Sequence, residues 1–339
     1  MPLQFKRRTR TTAFLNPFED FKPSEVAVEI RDDPLSRHRS RILSFRFKSL
    51  GKLDHSLFLE RDKQRPCPFC PGNLEKMCAR FLPEVVSEGF LRRGEAVCFP
   101  NAFPYGAHTY VVRLTKKHYV RPSEFTPQQL ADGLLLSMEA FKRLAPKDVY
   151  ASVNWNYMMP AGGGVVHPHF QIVSAQRPTS FQAALRQRAR AFARRAGRDM
   201  ITAYLEHEKA GRSRWVGRLG LLNWVTPFAP KAIYDLMALS PEGKGLLEFK
   251  PAQVQGIARG ICRALKYFEA QGVGAHNMAL HTPLKPGTGM PLMLRLVSRV
   301  QIPPMGLDEI NYFEKLHDET VCFLSPEEMA QGIKEFWRD

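Results

Sequence analysis

The chemistry in this chain concentrates in one segment, Gly162-Gly-Gly-Val-Val-His167-Pro-His169-Phe-Gln171-Ile-Val. In an extended strand, residues i, i+2 and i+4 share a face, so His167, His169 and Gln171 are expected on one side and Phe170 and Ile172 in packing. Two imidazoles and an amide following a glycine-rich loop suit an anion. Glycines at 162, 163 and 164 let backbone N–H groups come close to phosphate oxygens. A neutral imidazole is also a competent nucleophile near pH 7. A second cluster stands upstream, Cys67-Pro-Phe-Cys70-Pro-Gly-Asn73, a turn-rich stretch that predicts a knuckle. The Cys-x-x-Cys spacing points to metal or redox chemistry in a reducing compartment, with a pair of buried free thiols as the alternative.

These residues need strands and helices to hold them. His167 to Ser174 and Val149 to Asn156 read as strands, joined by a loop over Ala161 to Gly164, and Thr109 to Leu114 reads as a third, buried strand. Thr126-Pro127-Gln128-Gln129 predicts a helix start, with Thr as N-cap, Pro at the first helical position and Gln completing a capping box; apolar positions continue to Leu144. A helical pattern runs from Ser180 to about Lys209, another from Pro251 to Gln271, and Ser325-Pro-Glu-Glu328 caps a terminal one. Residues 1 to about 65 are basic and irregular, with strand-like pieces at Val26 to Ile30 and Arg41 to Phe47. Asn156 is followed by a glycine-rich loop and a strand ending at Ser174. Asn277 is followed by a Pro/Gly-rich loop and a strand ending at Ser298. Two weakly similar halves are therefore expected, residues 1–178 and 179–339, with His167, His169 and Gln171 facing Pro291, Met293 and Arg295 when the strand ends are aligned.

Composition sets the outer bounds. The chain has 339 residues, 44% hydrophobic and 24% charged, enough for about two globular domains and inconsistent with wholesale disorder. No apolar run approaches the ~20 residues of a membrane span, and Met1 to Phe18 lacks the apolar block of a signal peptide, so a cytoplasmic soluble protein is expected. Lys and Arg number 49 against 33 Asp and Glu, a net charge of +16, which suits nucleic acid, an anionic surface or phosphorylated substrates as partners. Six arginines lie between Arg186 and Arg198. They read either as a solvated helix face or as a phosphate or nucleic-acid contact. No nucleic-acid recognition signature accompanies them, so a nucleic acid partner is the weaker expectation.

His-Pro-His-x-Gln after a Gly-rich loop, with Cys-Pro-Phe-Cys-Pro-Gly-Asn about a hundred residues upstream, resembles the galactose-1-phosphate uridylyltransferase family, the transferase branch of the histidine-triad superfamily. The resemblance covers roughly residues 30 to 335. It implies an α+β fold of two tandem histidine-triad-like halves, each an antiparallel sheet with helices, and a homodimer. It also implies that His169 attacks the α-phosphorus of a nucleoside diphosphate sugar, that Gln171 holds a non-bridging phosphate oxygen, and that Asn156 lines the same site with Gly163 and Gly164. Asn101 in Phe99-Pro-Asn-Ala-Phe103 matches the nucleoside side, Glu314 a sugar contact, and Cys67, Cys70, His118 and His167 the ligands of a structural zinc ion. The implied reaction is ping-pong exchange of UMP between UDP-glucose and a sugar 1-phosphate. An amide at Gln171 cannot act as a general acid, which favours leaving groups that need no proton and disfavours hydrolysis. This chain departs from the family in three places. Gly164 replaces a serine, Val321 or Cys322 a glutamine, and only His281 survives of a second metal site, so no second metal is expected. A phosphorylase using inorganic phosphate as acceptor is the alternative reaction, and a basic nucleic-acid-binding protein with a vestigial site is the alternative class.

Overall fold

The structure, a computed structural model, describes residues 3–43, 54–241, 243–302, 307–308 and 310–338. Strands β1 (Lys6–Asn16), β2 (Lys22–Asp32) and β3 (Arg39–Ile42) are followed by the short helices α1 (Ser56–Asp62) and α2 (Leu74–Met77). Then come β4 (Leu91–Arg93), β5 (Ala96–Pro100), β6 (His108–Arg113), helix α3 (Pro127–Leu144), β7 (Tyr150–Tyr157) and β8 (His169–Ala175). Helices α4 (Ser180–Ala196) and α5 (Met200–Gly211) lead into β9 (Trp215–Leu219), β10 (Leu222–Val225), β11 (Asp235–Leu239), helix α6 (Pro251–Ala270), β12 (Ala275–Pro283) and β13 (Met293–Arg299). The two-residue strands β14 (Gln301–Ile302) and β15 (Leu307–Asp308), helix α7 (Tyr312–His317), β16 (Glu319–Cys322) and helix α8 (Pro326–Ile333) complete the chain.

The fold is α+β, and both halves are present, but they do not form separate sheets. One ten-stranded sheet runs β4-β5-β6-β8-β7-β12-β13-β11-β10-β9. Its two ends repeat one pattern, because β4, β5, β6, β8, β7 and β9, β10, β11, β13, β12 have the same order about a central seam. At the seam β7 and β12 pair antiparallel from Tyr150↔Pro283 to Tyr157↔His276. The physical reason is that each half alone would end on a long strand with a row of unpaired N–H and C=O groups, and pairing the two edges satisfies both. The boundary after residue 178 falls in the link between β8 and α4. Strands β1 to β3 join neither half of this sheet; they pair instead with β16, the last rung being parallel, Arg39↔Glu319 to Ile42↔Cys322.

Several local expectations match. Thr126 caps α3 through Gln129 in a reciprocal box, and Ser325 caps α8 through Glu328 in the same way. One face of the sheet packs on α3 and α6 through Phe170, Trp155 and Trp224, each fully buried. The opposite face of the second half is covered by α4 and α5, with Leu185, Phe192 and Tyr204 against Leu239 and Met293.

Others differ. The pattern from Ser180 to Lys209 is two helices: Gly197, at φ 66°, ends α4, and the Asp199 side chain accepts from Thr202 N to start α5, a glycine C-cap followed by an aspartate N-cap. The N-terminal region is less irregular than expected, since β1 and β2 form a hairpin of two eleven-residue strands. The piece at Val26 to Ile30 lies within β2; residues 44–47 of the strand expected at Arg41 to Phe47 lie outside the described residues. Much of the arginine excess is spent inside the fold. Arg31 is 3% exposed and grips both carboxylate oxygens of Glu327 at 2.8 and 2.9 Å. Of the α4 arginines, Arg186 donates to Tyr150 Oη, Arg188 to the carbonyls of Pro34 and Leu35, and Arg190 to that of Thr288. These tie the helix to its neighbours. No helix among the described residues is long and apolar enough to cross a membrane.

At Gly260, α6 crosses so close to β10 that a Cβ would land in the Trp224 indole. Gly260→Ala therefore overpacks a rigid ring and is expected to cost roughly 1–3 kcal/mol, read as a lower urea midpoint; an unchanged midpoint would refute the close approach.

Candidate active site and metal centre

The knuckle is built by its own sequence. Gly72 takes φ 86°, a left-handed turn that suits glycine, and the Asn73 side chain donates to the Cys67 carbonyl at 2.9 Å. Both thiols are thereby turned towards the bends after β6 and before β8. There the ligand atoms of Cys67, Cys70, His118 and His167 all lie within 4.8 Å of one another. His118 Nδ1 is 3.4 Å from Cys70 Sγ, and His167 Nδ1 is 3.7 Å from both sulfurs. Tetrahedral bonds of about 2.3 Å to sulfur and about 2.0 Å to nitrogen would put S and N about 3.5 Å apart. The donor set and its spacing therefore fit a four-coordinate metal ion.

The atoms behind the ligands agree. His167 Nε2 lies 2.7 Å from the Thr115 carbonyl, which can only accept, so Nε2 carries the proton and Nδ1 keeps its lone pair for the cluster. His118 Nε2 lies 2.7 Å from Asp62 Oδ2, which orients that ring in the same sense. The buried Arg113 guanidinium donates to the carbonyls of Phe69 and Glu95 at 3.1 and 3.0 Å, tying the knuckle to the sheet. Burial and the neighbouring Cys70 push the Cys67 thiol up to about 12. The Cys67 thiol packed this way would not ionise near neutral pH without a cation to share.

His169 opens β8 and is 5% exposed. Its Nδ1 lies 2.8 Å from the carbonyl of His167, so Nδ1 donates and Nε2 holds the free lone pair. Burial lowers its pKa, favouring the neutral ring. Phe69 of the knuckle sets its ring edge-on to His169, centroids 5.1 Å apart. His167 does not share the strand, as expected from periodicity; it lies in the bend two residues before β8 begins, turned to the cluster. Phe170 and Ile172 are fully buried as expected. Gln171 is half-buried on the His169 face, and its side-chain amide takes no partner among the described residues.

The glycine loop is tightly specified at one position. A Cβ on Gly163 would meet the carbonyl oxygens of Asn156 and Met158, both at 2.8 Å, so only glycine fits. Gly164 faces open space. Met158 takes φ 68° and ψ 164° while buried, a strained backbone that the loop around it holds in place. Asn154 pairs with Gln171 across β7 and β8; Asn156, two residues on, shares the Asn154 face of β7. Asn101 follows β5, two strands from β8, and its Oδ1 accepts from Phe103 N at 2.9 Å. Glu314 is on α7, beside β16 of the small sheet and off the ten-stranded one. The fold thus gathers His169, Gln171, Asn156, Gly163 and Gly164 beside the four-ligand cluster, with Asn101 farther along the sheet, and leaves Glu314 elsewhere. Asp62, Arg113 and Thr115, which orient the ligands, carried no motif that sequence reasoning could use.

With His169 opening β8, a Cys₂His₂ cluster beside it and this sheet order, the chain has the fold of galT-like and uridylyltransferase structures. A galT-like protein from Arabidopsis thaliana superposes with a TM-score of 0.69 at 18% identity, covering 91% of this chain and 98% of that one. An Arabidopsis ADP-glucose phosphorylase with bound ADP-glucose gives 0.69 at 16% with the same coverage. A uridylyltransferase gives 0.66 at 19%, covering 91% and 97%. In sequence the chain is 34% identical over 319 residues to an uncharacterized protein of Archaeoglobus fulgidus, 94% of this chain and 95% of that one, and it belongs to the same family. No protein-family model matches the chain.

Elemental analysis of purified protein is expected to find one metal ion per chain, lost in Cys70→Ser. Because binding energy at such a site is folding energy, chelation should lower the thermal midpoint by several degrees. Metal-free protein that melts where untreated protein does would exclude the site.

Proposed function

We propose that this protein is a nucleotidyltransferase acting on nucleoside diphosphate sugars, through a covalent nucleotidyl-His169. The observation that supports it best is the division of the His169 ring: Nδ1–H is committed to the His167 carbonyl, leaving Nε2 as the nucleophile. The Nε2 lone pair attacks the α-phosphorus, an N–P bond forms, and the P–O bond to the sugar phosphate breaks. The leaving group departs as a phosphate anion and needs no proton, consistent with an amide rather than an acid at Gln171. An acceptor phosphate oxygen then attacks phosphorus and the N–P bond breaks, restoring His169. Gln171, Asn156 and the Gly163–Gly164 N–H groups supply the hydrogen bonds on which such transfers depend. Zinc is the ion that best suits Cys67, Cys70, His118 and His167. Held by four protein ligands it would be structural, fixing His167 and the carbonyl that orients His169. All six cysteines are free, as suits the reducing cytoplasm.

UDP-glucose with a sugar 1-phosphate acceptor is the first reading. Glu314, the sugar contact, lies off the catalytic sheet in its own chain, and it would serve the site only from a second copy in a homodimer. The same observation favours a second reading, in which inorganic phosphate, needing no sugar contact, is the acceptor.

Intact-mass spectrometry after brief incubation with UDP-glucose, and separately with ADP-glucose, is expected to show a nucleotide adduct on wild type and none on His169→Ala. Gln171→Ala should slow its formation about 10- to 1000-fold. Discharge by galactose 1-phosphate or by inorganic phosphate decides between the two acceptors. Lack of an adduct with both donors, or its persistence in His169→Ala, would defeat the proposal.

A further inference from the structure

Asn277, in the half that carries no nucleophile, sits directly across the seam from Asn156. Its Nδ2 is 2.8 Å from the carbonyl of Ala161. A carbonyl only accepts, so that atom must be the nitrogen, and the amide's orientation is settled by chemistry. The same Nδ2 is 2.7 Å from the Asn156 side chain, which must therefore present Oδ1. Asn156 then has one direction left for its own NH₂ group. Its Nδ2 stands 4.0 Å from where a Cβ on Gly162 would be, facing the glycine loop, and takes no partner among the described residues. On the far side, Arg299 Nη1 donates to Asn277 Oδ1 at 3.3 Å. The hydrogen bonds run in one sense, Arg299 to Asn277 to Asn156, and end on the Asn156 NH₂ group facing the glycine loop that precedes His169.

We propose that Asn277 is a positioning residue for phosphate transfer: it locks the Asn156 amide with its NH₂ towards the phosphate. The inference rests on the nucleotidyl-transfer reading above. Through it the second half takes part in the reaction without touching substrate.

Asn277→Asp tests the orientation. A carboxylate can only accept, so Asn156 would turn its NH₂ to Asp and its oxygen to the phosphate. Adduct formation on His169 should then fall about 10- to 100-fold, with metal content and thermal midpoint close to wild type. If Asn277 acts through Asn156, the same change in an Asn156→Ala background should cost less than about twofold. Wild-type rates in Asn277→Asp, or an equal penalty in both backgrounds, would overturn the proposal. Wild type that forms no adduct would defeat the function reading instead. The cycle is then read by calorimetry with UMP and AMP. Coupling between the two asparagines supports the proposal; equal affinities, or no binding, overturn it.

Discussion

A neutral imidazole has one N–H and one lone pair, and this site depends on how two adjacent imidazoles spend them. His167 gives its N–H to the Thr115 carbonyl and keeps its lone pair for the Cys₂His₂ cluster. His169 gives its N–H to the carbonyl of His167 itself and keeps its lone pair for the open side of the sheet. The two assignments are mechanically linked, because the group that orients the His169 ring is the peptide carbonyl of a cluster residue. Anything that fixes His167 fixes the direction in which His169 points. The knuckle is thus a positioning device, and Arg113, clamping it to the β4–β5 turn, is part of the same chain of restraint.

The second half shows what happens to the same scaffold when that device is missing. β13 begins at Met293 where β8 begins at His169, and Arg295 takes the place of Gln171. Arg295 is buried and bound to Asp235, with Nε 3.0 Å from both carboxylate oxygens. A buried ion pair has replaced a half-exposed amide, closing the position to a ligand and holding β13 to β11. The two halves keep one backbone plan, one leaving this position half-buried and the other filling it with an ion pair.

Sequence alone carried the local parts of this picture well. The strand carrying Phe170, Gln171 and Ile172, the knuckle and the capping boxes of α3 and α8 each depend on residues close together in the chain, and each stands where expected. Non-local features were less legible. β1 is polar or charged along most of its length and exposed from Lys6 to Leu15, so neither alternation nor apolar content marks it; only its pairing with β2 makes it a strand. Fusion of the halves into one sheet is a matter of backbone pairing, which leaves no compositional trace. His167 was assigned to the strand by periodicity, whereas its cluster holds it in the preceding bend. The break between α4 and α5 was legible in Gly197 and Asp199, but the continuous arginine pattern masked it.

The central seam also bears on how chains of this kind can change over generations. Ladder hydrogen bonds between β7 and β12 are made by the backbone and are indifferent to most side chains, so a half-buried position such as Ala279 can change with little effect on the pairing. The seam strand itself has no such freedom. A proline within β12 would delete a ladder donor in the middle of the sheet. A slip of one residue would turn Asn277 and His281 onto the face packed against α3 and α6. The second half is thereby held to its course by the geometry it supplies to the first.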